Sequence, residues 1–223
     1  MEAITKAGRA TGAKVGWDLA HGVGNVELRL HDWNADFAAW CSYKYMNSGP
    51  GNASGIFVHE RHLGKKDIPR FEGWWGTKKE TRFLMKPEFD PMENADAWQL
   101  SNAPILSVAP YLASLELFEE VGMLVLIEKR NKIVAYLEYI LKEIDDEISG
   151  RTFEIITPKD RGCQLSVFLH GQGKPLFDYL MKNGVITDWR EPNVIRLAPA
   201  PFYCSFEDMY RFGQVLKKGI LSN

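Results

Sequence analysis

Cysteine is scarce in this sequence: Cys41, Cys163 and Cys204 are the three in 223 residues. An odd number so widely spaced argues against a disulfide framework and for a reducing, cytoplasmic compartment. Neither sign of charge dominates, since 27 Lys and Arg stand against 29 Asp and Glu for a net charge of −2. The basic excess of a nucleic-acid binder is therefore missing. No apolar run reaches the roughly 18 residues that a membrane-spanning helix needs, and the stretch from Met1 to Arg9 is too polar for a secretory signal. Internal repeats and low-complexity stretches are absent as well. What is present is 45% hydrophobic and 12% aromatic residues, enough for a sizeable core, in a length that fits one domain or a large one with a small one.

The first half of the chain reads as α/β. Residues 4–12 predict a short helix closing on Gly12. Residues 15–18 predict a short buried strand ending in Asp18, and 37–42, a continuous apolar run, a strand buried on both faces. Turn formers crowd 43–52, and 55–59 is the next strand. Residues 61–96 carry Pro69, Pro87 and Pro91 and no sustained period, and long irregular segments of this kind are often functional. Helical spacing then predicts a helix over 105–119, with Val108, Leu112, Leu115 and Phe118 on its apolar stripe. A longer helix is predicted over 121–144, with Leu126, Ile133, Leu137, Ile140 and Leu141. Beyond it the pattern is strand 153–157, strand 163–169, helix 175–183 stopped by Gly184, strands 185–188 and 194–197, and helix 206–221. The expected organisation is a large α/β part over 1–120, a connecting helix over 121–150, and a small α+β domain over 151–223.

Asp18 and Lys44 each follow a short apolar strand, and ligands of open α/β sheets sit outside the carboxyl ends of strands. A lysine close to a sheet is partly desolvated, which frees its amine as a nucleophile. An aspartate beside it suits a cationic heterocyclic nitrogen. Together they form the pattern used for pyridoxal phosphate. On spacing alone the plainer alternative stands beside it: Asp18 as a cap and Lys44 as a solvated loop lysine. His59 and His62, three apart, have no third metal ligand close by in sequence and read as surface residues. Gly49-Pro50-Gly51 lacks the Gly-Lys-Ser/Thr ending of a phosphate loop and reads as a turn close to the lysine or as a subunit contact.

The text around these residues resembles kynureninase, a fold-type-I pyridoxal-phosphate enzyme. The resemblance is carried by Gly16-Trp17-Asp18-Leu19-Ala20-His21-Gly22-Val23-Gly24-Asn25 and by Trp40-Cys41-Ser42-Tyr43-Lys44-Tyr45-Met46-Asn47-Ser48-Gly49-Pro50-Gly51. It continues in order through Gly73-Trp74-Trp75-Gly76, Gln99-Leu100-Ser101-Asn102, Arg161-Gly162-Cys163-Gln164-Leu165 and Ile195-Arg196-Leu197-Ala198-Pro199. Thr77 is a departure, since many family members carry His there. The implied fold is part of a pyridoxal-phosphate-transferase-like large domain, a mostly parallel sheet with helices, plus a small C-terminal α+β domain. The implied reaction is hydrolysis of L-kynurenine or its 3-hydroxy form to anthranilate or 3-hydroxyanthranilate and L-alanine, in a homodimer.

By the same resemblance Lys44 carries pyridoxal 5′-phosphate covalently, Asp18 pairs with its pyridine nitrogen and His21 sits beside its ring. Tyr43 and Trp74 hold the phosphate, Asn102 lines the site near cofactor and substrate, and Arg196 holds the substrate carboxylate. Tyr43 is also the candidate proton relay, and no metal is implied. Family members begin far upstream of the residues matched here, so the chain is expected to be the C-terminal part of a longer protein. Two other expectations accompany that one: a catalytically incompetent fragment with a structural or interaction role, and a different fold-type-I lyase of the cysteine-desulfurase kind. None of the three cysteines lies in an evident reactive loop of the sort a desulfurase needs.

Overall fold

A computed structural model describes residues 1–148, 152–171 and 173–222. The chain divides into two compact units, Met1–Glu120 and Val121–Asn223. The boundary expected between 150 and 151 lies outside the described residues.

The first unit opens with helix α1 (Glu2–Ala10), which ends at Thr11 and is followed by Gly12 at φ +83°. Strands β1 (Gly16–Asp18), β2 (Phe37–Trp40) and β3 (Gly55–Val58) form one sheet in the order β1-β2-β3. β1 runs parallel to β2, with Gly16 opposite Phe37, and β2 runs antiparallel to β3. β1 and β2 are buried on one face at most: Ala38 is buried, but Phe37 is 52% exposed and Ile56 on β3 is 44% exposed. An apolar run records hydrophobicity, not cover, and among the described residues of this unit nothing closes over Phe37 and Ile56.

The irregular segment is irregular as its sequence predicts, holding three short 3₁₀ turns at Glu60–His62, Trp74–Gly76 and Ala95–Trp98 and an isolated antiparallel bridge between Thr77 and Pro91. Helix α2 (Ile105–Val121) follows. Its predicted stripe is only partly used: Phe118 is buried, whereas Leu112 and Leu115 are exposed. Two polar bonds anchor α2 instead, from Asn52 Nδ2 to the Ser107 carbonyl and from Ser114 Oγ to the Met46 carbonyl (2.7 Å).

The second unit contains helix α3 (Met123–Glu147), strands β4 (Phe153–Ile155) and β5 (Leu165–Leu169), helix α4 (Gly173–Lys182), strands β6 (Asp188–Arg190) and β7 (Val194–Leu197), and helix α5 (Phe206–Leu221). The sheet order is β4-β5-β7-β6, and every pairing is antiparallel. Leu126, Ile133, Leu137 and Leu141 of α3 are buried as their spacing predicts, along with Leu165, Val167 and Leu169, the alternating inner face of β5.

One strand lies later than its sequence suggests, at 188–190 instead of 185–188. Gly184, at φ +80°, closes α4: its N–H reaches the Met181 carbonyl and the Val185 N–H reaches the Leu180 carbonyl. That is a Schellman closure, and it uses the Val185 amide that a strand would need. Pairing therefore begins only at Asp188, opposite Arg196.

Candidate active site

The site is built on the chain that leaves β1 and the chain that leaves β2. At the end of β1, Asp18 Oδ1 accepts from the Ala20 N–H at 2.9 Å, while the Leu19 N–H carries the parallel ladder on to the Ala39 carbonyl. Asp18 thus starts a turn, as a strand-end aspartate commonly does. Its Oδ2 takes no protein donor among the described residues.

The turn runs past His21 to Gly24, which has φ +77°. A Cβ at Gly24 would lie 2.7 Å from the Tyr45 carbonyl oxygen, so only glycine lets this turn press against the bend that carries Lys44. The outcome is a direct contact: Lys44 Nζ lies 3.1 Å from His21 Nε2. The His21 ring also meets Tyr45 edge-on, and Asn25, buried, donates to the His21 carbonyl.

The bend itself is closed from below by two buried serines. Ser48 Oγ donates to Ser42 Oγ at 2.8 Å, Ser42 Oγ donates to the Ala53 carbonyl, and the Ser48 N–H returns to the Ser42 carbonyl. Asn47, at φ +56°, completes the bend, with its N–H on the Lys44 carbonyl. Lys44 is half-buried on this platform, and Tyr43 is exposed. A hydrogen bond with the Cys41 thiol raises the Tyr43 phenol above its ordinary range. Cys41 in turn reaches back to the Ala20 carbonyl.

Trp74 and Asn102 stand on another part of the first unit. Trp74 lies in the second 3₁₀ turn, packed edge-on against Trp75 and near Phe83, with the Arg82 guanidinium 4.6 Å from the Trp75 ring centre. Arg82 Nη2 also donates to the Trp75 and Thr77 carbonyls, bracing the turn. A Cβ on Gly73 would fall 2.2 Å from Leu100 Cα, and one on Gly76 2.8 Å from the Ala97 carbonyl oxygen. The segments bearing Trp74 and Asn102 therefore lie backbone against backbone. Asn102 is exposed and accepts from Ser101 Oγ.

Arg196 belongs to the second unit, on β7, where its Nη2 pairs with Asp188. Its Nε is buried without an acceptor among the described residues. Arg161, from another of the matched blocks, pairs with Glu138 of α3 and donates to the Pro158 carbonyl.

Two groupings have no counterpart in the sequence reading. Asp36, 2% exposed, accepts from Arg9, Arg61, His62 Nε2 (2.6 Å) and the Val15 N–H (2.8 Å). Burial works against its ionised form, but the Val15 amide, His62 and Arg61 outweigh that and hold the carboxyl far below the usual carboxylate range. The second grouping corrects the reading of His59 and His62 as surface residues. His59 is buried and stacks on His31 with ring centres 4.7 Å apart, and His62 is committed to Asp36. Burial, and next the charge of Arg61, pushes His59 below its ordinary range, while hydrogen bonds to Glu60 and Asp32 raise His31. A charged residue directly before the apolar run 37–42 was the available signal for Asp36.

Residues 130–216 match the kynureninase C-terminal domain model. Kynureninase from Christiangramia forsetii is 76% identical over all of this chain and 53% of its own length. Those from Flavobacterium psychrophilum and Salinispora tropica are 70% and 52% identical over 53% and 50% of theirs. Among solved structures, an alanine–glyoxylate aminotransferase from Nostoc sp. aligns with TM-score 0.73 at 21% identity, over 97% of this chain and 56% of its own. A cysteine desulfurase from Escherichia coli aligns with TM-score 0.75 at 12% identity, over 98% of this chain and 54% of its own. At such identities the two structures show a shared fold and nothing finer. The chain spans about half the length of the curated relatives it matches, and over its own full length its sequence is similar to theirs.

Proposed function

We propose that this chain is the lysine-bearing, C-terminal part of a cytoplasmic, homodimeric kynureninase. The reaction is hydrolysis of L-kynurenine, 3-hydroxy-L-kynurenine or both to L-alanine and anthranilate or 3-hydroxyanthranilate, a step of tryptophan catabolism and NAD biosynthesis. The observation that carries this reading is the 76% identity to a kynureninase along the whole chain. The desulfurase alternative rests on 12% identity and a shared fold.

The donor set fits pyridoxal 5′-phosphate. A half-buried primary amine, Lys44, is held beside an imidazole, and Asp18 keeps one carboxylate oxygen clear of protein donors. The exposed Tyr43 phenol and Trp74 indole are donors on apolar bodies, suited to a phosphate. When bound, the cofactor supplies an electron sink for the carbanion formed at the substrate α-carbon.

In this reading Lys44 holds the cofactor and, once released, takes the α-proton on Nζ, while His21 Nε2 fixes that amine in place. Asp18 holds a proton at the pyridine nitrogen. Trp74 and Tyr43 bind the phosphate, and Asn102 lines the site. Arg196 offers a planar fork to the substrate carboxylate. Water adds at the substrate γ-carbonyl as the bond between the β- and γ-carbons breaks, with Tyr43 returning the proton to the departing carbon. Acid–base help of this kind is worth about 10²–10⁴-fold.

The test is capture of the cofactor. Incubation with pyridoxal phosphate, reduction with borohydride and peptide mapping should place the label on Lys44, and Lys44→Ala should abolish it. A label elsewhere, or one that survives in Lys44→Ala, overturns the assignment. Release of anthranilate from kynurenine, with no sulfide from cysteine, separates this reading from a desulfurase.

A further inference from the structure

Outside the candidate active site, His31, His59 and Glu60 bring one ligand atom each within 4.8 Å of one another. They come from two places in the first unit: His31 from the connection ahead of β2, His59 and Glu60 from the chain just after β3. The two imidazoles stack with 24° between their planes, and Glu60 Oε1 is 3.3 Å from His31 Nε2.

Two neighbouring side chains, Arg61 and His62, could compete for Glu60, and both are engaged elsewhere. Arg61 directs Nε and Nη2 to Asp36 and its remaining donors to Asn34, and His62 Nε2 also goes to Asp36. The buried carboxylate thus withdraws Arg61 and His62 and leaves the His59 imidazole and the Glu60 carboxylate beside His31. Two imidazoles and one carboxylate are a donor set suited to Zn²⁺, with a fourth position left for water.

We propose that His31, His59 and Glu60 form a binding site for a divalent transition-metal ion of the zinc class, which clips the connection before β2 to the chain after β3. Coordination through His59 Nδ1 replaces its long, 3.3 Å bond from the Arg61 N–H. Coordination through Nε2 moves the ring proton to Nδ1 and gives up the same bond, so in either case the ring stays neutral and exchanges the Arg61 N–H for the metal.

The test uses Co²⁺ and Zn²⁺ added to the 223-residue chain without cofactor. One Co²⁺ per chain should bind, giving the visible bands of a four- or five-coordinate ion, and Zn²⁺ should displace it. His31→Ala and Glu60→Gln, both at exposed positions, should each weaken binding by about tenfold or more. Their far-UV circular dichroism and metal-free melting should match the parent chain. Zn²⁺ should raise the melting temperature of the parent and not of His31→Ala. Absence of stoichiometric binding overturns the proposal, as does binding that both variants retain.

Discussion

At the residue scale, the dominant interaction of the first unit is Asp36 with Arg9, Arg61, His62 and the Val15 amide. A buried carboxylate is tolerated only when its oxygens are satisfied, and here five donors converge on two oxygens. Asp36→Asn keeps the shape and removes the charge. Because Arg9 and Arg61 are partly solvated, the loss should be about 2–3 kcal/mol rather than the full cost of stranding buried charges. The sign of the pH dependence follows from a folded-state pKa depressed below the unfolded value of about 3.9. The stabilisation is fully present above that value and is lost as pH falls through the folded pKa. Urea unfolding between pH 7 and pH 3 should show the parent losing stability on the acid side, and the Asn variant should have a flatter acid limb.

At the element scale, α5 is the clearest case of sequence setting a boundary. Ser205 accepts from the Asp208 N–H, and the Asp208 carboxylate accepts from the Ser205 N–H, a reciprocal cap written into four consecutive residues. Ser205→Ala should cost about 1 kcal/mol, and should lower the melting temperature of the second unit with the same sheet retained by circular dichroism.

Local signals of this kind made the helices and most strands legible. What escaped was set by events elsewhere in the chain. β6 starts late because the Val185 amide is spent closing α4. Leu112 and Leu115 show the right spacing but lie on an uncovered face. His59 looked toward His62 in sequence, whereas its partner in space is His31, from the other side of β2. Within the candidate site, Asp18, His21 and Lys44 were legible from their flanking text. The Ser42–Ser48 pair beneath the lysine was not, because serines in a turn-rich loop carry no signal that they are buried.

At the scale of the whole molecule, the second unit has a buried core of its own, with α3 and α4 each against α5 and a four-stranded antiparallel sheet whose central strand β5 is buried on one face. A chain of residues 121–223 should therefore fold by itself, with one cooperative thermal transition that reappears in the full chain. A chain that melts without cooperativity would show that the second unit depends on the first. The first unit has a smaller sheet and large exposed side chains such as Phe37 and Ile56. It should supply the lower-melting transition.

The link from β1 to its parallel neighbour β2, residues 19–36, is fastened along its length: by the Leu19 N–H on Ala39, by Gly24 against Tyr45, and by Asp36 at its end. A link held only at its two ends can absorb an inserted residue by bulging outward. Here an extra residue before Gly24 moves His21 away from Lys44, and one after it pulls Asp36 from its donors or His31 from His59. The number of residues in this link is thus a constraint of its own, independent of which side chains it carries. Tolerance of insertions and deletions should fall to its minimum there, even at positions whose side chains touch nothing.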